Sequence, residues 1–72
     1  MGLIEHTTKE RLSREAAAER LRELADQLSQ HNEVSFSRDG VPYRVEVPDE
    51  VDLTLEVDVG GDKSEIEVEI EW

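Results

Sequence analysis

Val51-Asp52-Leu53-Thr54-Leu55-Glu56-Val57-Asp58-Val59-Gly60-Gly61-Asp62-Lys63-Ser64-Glu65-Ile66-Glu67-Val68-Glu69-Ile70-Glu71-Trp72 alternates with a period of two from one end to the other. Val51, Leu53, Leu55, Val57 and Val59 share one parity, and Asp52, Thr54, Glu56 and Asp58 share the other. After the turn, Ile66, Val68, Ile70 and Trp72 alternate with Glu65, Glu67, Glu69 and Glu71. Successive side chains of an extended chain point to opposite faces, so each run has one aliphatic face and one acidic face. Gly60-Gly61-Asp62 supplies the reversal between them. The pattern predicts strands over 51–59 and 64–71. Their register is strongly specified, because a slip of one residue would send a row of carboxylates into the core.

The same period extends upstream. Val41, Tyr43, Val45 and Val47 alternate with Pro42, Arg44 and Glu46, and Val34 and Phe36 alternate with Ser35 and Ser37. Asp39-Gly40 between these runs suits a two-residue type I′ hairpin, whose central residues both need positive φ. Pro48-Asp49-Glu50 makes the next reversal. Strands over 33–38 and 41–47 therefore complete a four-strand meander in which every apolar residue can share one face.

Before residue 31 the period is 3.6 instead. Ser13 is a helix N-cap: its hydroxyl can accept a hydrogen bond from a backbone N–H that the helix leaves unpaired, and Glu15 follows in the first turn, where the helix dipole favours an anion. Ala17, Leu21, Leu24 and Leu28 recur at three- and four-residue steps, widened by Ala18 and Ala25, and predict a helix over 14–30 with one buried face. Residues 3–12 read as a less regular edge strand, since neither of their parities is cleanly apolar. The expected fold is therefore α+β, a single domain over 1–72 in two layers. One helix packs on a mostly antiparallel five-stranded sheet in the order β-α-β-β-β-β. The first strand is best placed beside the last, where Lys9 and Arg11 would face the glutamates of 65–71. Its alternative place is parallel to 34–37.

Composition narrows the functions. Nineteen Asp and Glu stand against eight Lys and Arg, a formal net charge of −11. Such a surface repels phosphate backbones and anionic lipid, so neither nucleic acid nor a membrane is an expected partner. No apolar run approaches the roughly 20 residues that span a bilayer, and Met1 to Leu12 has no apolar h-region, which predicts a protein retained in the cytoplasm. Cysteine is absent, removing disulfides and thiolate chemistry. A chain this short has a thin core and marginal stability unless something assists it, and without disulfides the usual assistants left are a metal or a second copy. Dense carboxylate with little lysine is what a very salty cytosol would select, since at molar salt the Debye length falls to about 3 Å.

The run Leu12-Ser13-Arg14-Glu15-Ala16-Ala17, then Leu24-Ala25-Asp26-Gln27-Leu28, then Val47-Pro48-Asp49-Glu50-Val51 and the closing Glu65-to-Trp72 strand resemble the amphi-Trp domain family. The resemblance implies small prokaryotic proteins, well represented among haloarchaea and without an assigned activity. It supports the expected fold and the salty cytoplasm, and it carries no catalytic residue with it.

Within the chain, the candidate site is the acidic sheet face. Arg44, Glu46, Glu56, Glu65, Glu67, Glu69 and Glu71, with Asp52 and Asp58, should stand together on the solvent side of three adjacent strands. Opposed like charges destabilise a sheet, so the face suggests docking to a basic partner or mimicry of a phosphate backbone, with plain hydration as the simplest account. Either this face or an exposed sheet edge could meet another protein or another copy. The alternative function is divalent-cation binding through these carboxylates. His6 and His31 have no second ligand at zinc spacing. Neither a glycine-flanked nucleophile nor a Gly-rich phosphate loop occurs, so no catalytic residue, metal site or cofactor is expected. Trp72, by parity, should cap the end of the core. The sequence reading is thus a small, acidic, salt-adapted, non-catalytic interaction or structural module.

Overall fold

The hydroxyl of Ser13 decides where the helix starts. In a computed structural model, which describes residues 4–72, Ser13 Oγ accepts a hydrogen bond from the Ala16 N–H at 3.1 Å. Ser13 keeps an extended backbone, and its carbonyl accepts from the Ala17 N–H. Helix α1 then spans Arg14–Gln30. It ends without a left-handed residue: His31 is extended and donates its N–H to the Gln27 carbonyl.

Four strands follow: β1 (Glu33–Arg38), β2 (Val41–Glu46), β3 (Asp52–Val59) and β4 (Ser64–Glu71). Asp39 and Gly40 join β1 to β2 with φ of 53° and 78°, the double positive φ that a type I′ turn requires. The pairing sets Val34 opposite Val45 and Phe36 opposite Tyr43, whose rings stack at 5.3 Å. β3 and β4 pair through their whole length, from Asp52 opposite Glu71 to Val59 opposite Ser64. Gly60 donates its N–H to the Lys63 carbonyl and closes the loop between them.

Among the described residues the five-stranded sheet does not form. The chain folds as two separate two-stranded antiparallel sheets, β1–β2 and β3–β4. Two local features explain the break. The Val47 N–H turns back to the Asn32 carbonyl at 2.7 Å, prolonging the first ladder, and Pro48 then has no N–H to offer a further one. The segment from Val47 to Val51 is also too long to force β3 alongside β2 as a two-residue turn would.

The expected first strand is absent from the described residues as well. Residue 3 lies outside the described residues, and residues 4–12 form no ladder. They are held by side chains: His6 stacks on Phe36 at 4.5 Å, Arg38 donates to the Glu5 carbonyl at 3.0 Å, and Arg20 grips the Glu10 carboxylate with two hydrogen bonds. This places the segment near β1 rather than beside β4, so Lys9 and Arg11 do not face the glutamates of 65–71. The unpaired edge of β1 meets the helix instead, where the Gln27 side-chain carbonyl accepts from the Ser35 N–H at 3.0 Å.

Among the described residues two layers therefore exist only where α1 rests on β1. Leu24, Leu28, Val34, Phe36, Tyr43 and Val45 are half-buried there, and Val47, 9% exposed, is the one buried hydrophobic among the described residues.

Candidate functional site

β3–β4 is a ribbon with two chemically opposite faces. On one face Leu53 stands opposite Ile70, Leu55 opposite Val68, and Val57 opposite Ile66. On the other Asp52 stands opposite Glu71, Thr54 opposite Glu69, Glu56 opposite Glu67, and Asp58 opposite Glu65. Directly opposed side chains have Cβ atoms about 5 Å apart, so three of the four acidic rungs set carboxylate against carboxylate. Lys and Arg do not relieve them: the ion pairs among the described residues are Arg14–Glu15, Arg20–Glu10, Arg22–Glu19 and Arg44–Glu33.

The predicted acidic face is divided by the break in the sheet. Glu56, Glu65, Glu67, Glu69 and Glu71 come together on β3–β4, as the alternation requires. Arg44 and Glu46 lie on β2, in the other sheet, where Glu46 stands opposite Glu33 and Arg44 approaches Glu33 at 3.9 Å. Among the described residues no group of three or more carboxylates or histidines converges on a point where a metal ion could sit. Carboxylates spread along a flat ladder cannot wrap a cation that takes six to eight oxygens.

The aliphatic face is where the structure departs furthest from the sequence reading. Leu55, Val57 and Ile66 are 67%, 68% and 75% exposed, and Leu53 and Val59 are exposed with them. Their parity alone predicts a place in the core. The signal that they are not is present in the sequence as a mismatch of widths. Four strands about 4.8 Å apart make a sheet nearly 20 Å wide, whereas one helix about 10 Å across covers only half of that.

Between the two sheets runs an apolar groove of about 350 Å³. Leu21, Leu24 and Leu28 of α1 form one wall, Val34, Val45 and Val47 the floor, and Val68, Ile70 and Trp72 the other wall. Trp72 does not cap a core, as its parity suggested; its ring borders this groove and the residue is 61% exposed. Groove and ribbon face are continuous through Val68 and Ile70. Hydrophobic surface can therefore be buried here, whereas the back of the ribbon can accept only cations, donors or water. Among the described residues no helix is long and apolar enough to cross a membrane.

Compared with known proteins, the chain matches the family model of the Amphi-Trp domain over residues 3–72. No curated protein and no solved structure matches it.

Proposed function

Because the chain belongs to the Amphi-Trp domain family, which has no assigned activity to transfer, we infer its function from its surfaces: it is a small non-catalytic protein-interaction module. The observation that carries this reading is the uncovered aliphatic face of β3–β4. Contiguous exposed apolar surface on a protein otherwise rich in charge marks a binding site. The interaction surface is thus the face opposite to the acidic one, and the carboxylates serve to keep the ribbon hydrated in a salty cytoplasm. Their density argues against nucleic acid or an anionic membrane as the partner, since both need clustered Lys or Arg.

The test is capture from a native lysate at the salt of the cell of origin, with tagged wild-type chain beside tagged Leu55→Glu and Glu67→Gln. Stoichiometric capture of a protein, an untagged copy of the chain included, that is lost in Leu55→Glu and kept in Glu67→Gln supports the reading. Capture of nothing, or capture lost only in Glu67→Gln, rejects the aliphatic face as the binding surface.

A further inference from the structure

We propose, resting on the reading of the chain as an interaction module, that the aliphatic face of β3–β4 is covered by the same face of a second copy of this chain. The product is a closed two-fold dimer with the acidic faces outward.

The first argument is area. The chain exposes 6955 Å², whereas a folded monomer of its 8.2 kDa mass exposes about 4,500 Å². Its radius of gyration is 14.0 Å, against about 11 Å for a domain of this length. The excess is of the size that obligate partners bury, which runs from about 2,000 Å² upward for the two copies together. Part of it belongs to residues 4–12, which are exposed along their length.

The second argument is what holds a chain of 72 residues together. One buried hydrophobic side chain among the described residues, Val47, is not a core. Domains of this size with so little buried apolar surface usually rely on disulfides, a metal or a further copy. Cysteine is absent, and no metal-ligating cluster occurs among the described residues. Another copy supplies the missing apolar layer.

The third argument concerns which partner the face fits. Leu53, Leu55, Val57, Ile66, Val68 and Ile70 form it, with no charge and no hydrogen-bonding side chain to select a foreign surface. A basic partner would be drawn to the carboxylates on the opposite side. A flat aliphatic face that matches itself is what a two-fold interface needs, and homodimer interfaces are the more apolar kind. Stacked sheets sit about 10 Å apart, so the outward carboxylates of the two copies lie further apart than the Debye length of about 3 Å in molar salt.

The experiment is sedimentation equilibrium of the full chain in molar KCl, from micromolar to millimolar, for wild type, Leu55→Glu and Glu67→Gln. It is paired with isotope-filtered NOE spectra of a mixture of labelled and unlabelled wild-type chain, which needs no substitution. The expected result is a species of twice the 8.2 kDa chain mass, with intermolecular NOEs between the Leu55, Val57, Ile66 and Val68 methyls. Leu55→Glu should weaken association at least about a hundredfold, and Glu67→Gln should leave it intact. A monomer at millimolar concentration overturns the proposal. So does a dimer whose intermolecular NOEs avoid the ribbon, or Leu55, Val57 and Ile66 methyls whose NOEs reach the helix of their own chain. If the chain is monomeric yet captures a different protein through the ribbon face, the dimer fails while the interaction module stands. If it is monomeric and captures nothing, both fail.

Discussion

At the scale of single residues, Ser13 and Gly60 hold positions that alanine fills poorly. Ser13 Oγ satisfies the Ala16 N–H at the start of α1. Ser13→Ala should therefore lower the unfolding free energy by about 1 kcal/mol in urea titration, and Ser13→Asp, which caps equally well, should restore it. Gly60 has a different constraint. A Cβ on it would stand 2.6 Å from the Lys63 carbonyl oxygen, while one on Gly61 would meet no atom within 4 Å. The obstacle at Gly60 is backbone, so it cannot swing aside as a flexible side chain would. Gly60→Ala should cost on the order of 1–3 kcal/mol and disturb the amide shifts of 59–64 in heteronuclear NMR spectra. Gly61→Ala should leave both near wild type. A loop that accepts alanine equally at the two positions would show that the Gly60–Lys63 hydrogen bond does not shape the turn.

Between elements, the joint of α1 with β1 turns on Gln27, whose side-chain carbonyl takes the Ser35 N–H from the open edge of the strand. Gln27→Ala should cost about 1 kcal/mol and speed hydrogen exchange of the Ser35 amide specifically, leaving Phe36 and Val45 protected. Uniform acceleration across β1–β2 would instead mean that the residue supports the whole hairpin. Elements of this kind were legible from local chemistry: the cap at Ser13, the 3.6 period to Gln30, Asp39-Gly40 as a type I′ turn, and strict alternation from Asp52 to Glu71. The joins between elements were not. Alternation says which face of a strand is apolar, but not what lies against that face. Whether β3 pairs with β2 depends on the backbone course around Pro48. For residues 4–12, the contacts that matter are His6 on Phe36 and Arg20 on Glu10, between side chains distant in sequence with no periodic signature. The candidate site was legible by halves for the same reason. Glu56, Glu65, Glu67, Glu69 and Glu71 fall on one face as the pattern demands, and Arg44 and Glu46 were joined to them only through a sheet that is not continuous.

For the molecule as a whole, stability, salt and association should be coupled. A net charge of −11 opposes both compaction of one chain and approach of two. Raising KCl from dilute buffer to molar should therefore raise the unfolding temperature, and at fixed salt that temperature should climb with protein concentration, as it does whenever the folded form is the associating one. Scanning calorimetry at two salts and several concentrations reads both effects. An unfolding temperature indifferent to salt would mean that the opposed carboxylates of β3–β4 exert no force worth screening. Indifference to concentration would describe a molecule that folds alone.

The two-faced ribbon also governs how far assembly can proceed. β3 and β4 each offer an open backbone edge, and edge-to-edge pairing, unlike the face-to-face kind, has no natural end point: it leads to fibres. Any ribbon added in register at an edge would extend Asp52–Glu71, Glu56–Glu67 and Asp58–Glu65 into rows of like charge at a spacing of about 4.8 Å. Each further strand lengthens those rows, so the same glutamates oppose edge-to-edge growth, most strongly where salt is dilute and the charges are least screened.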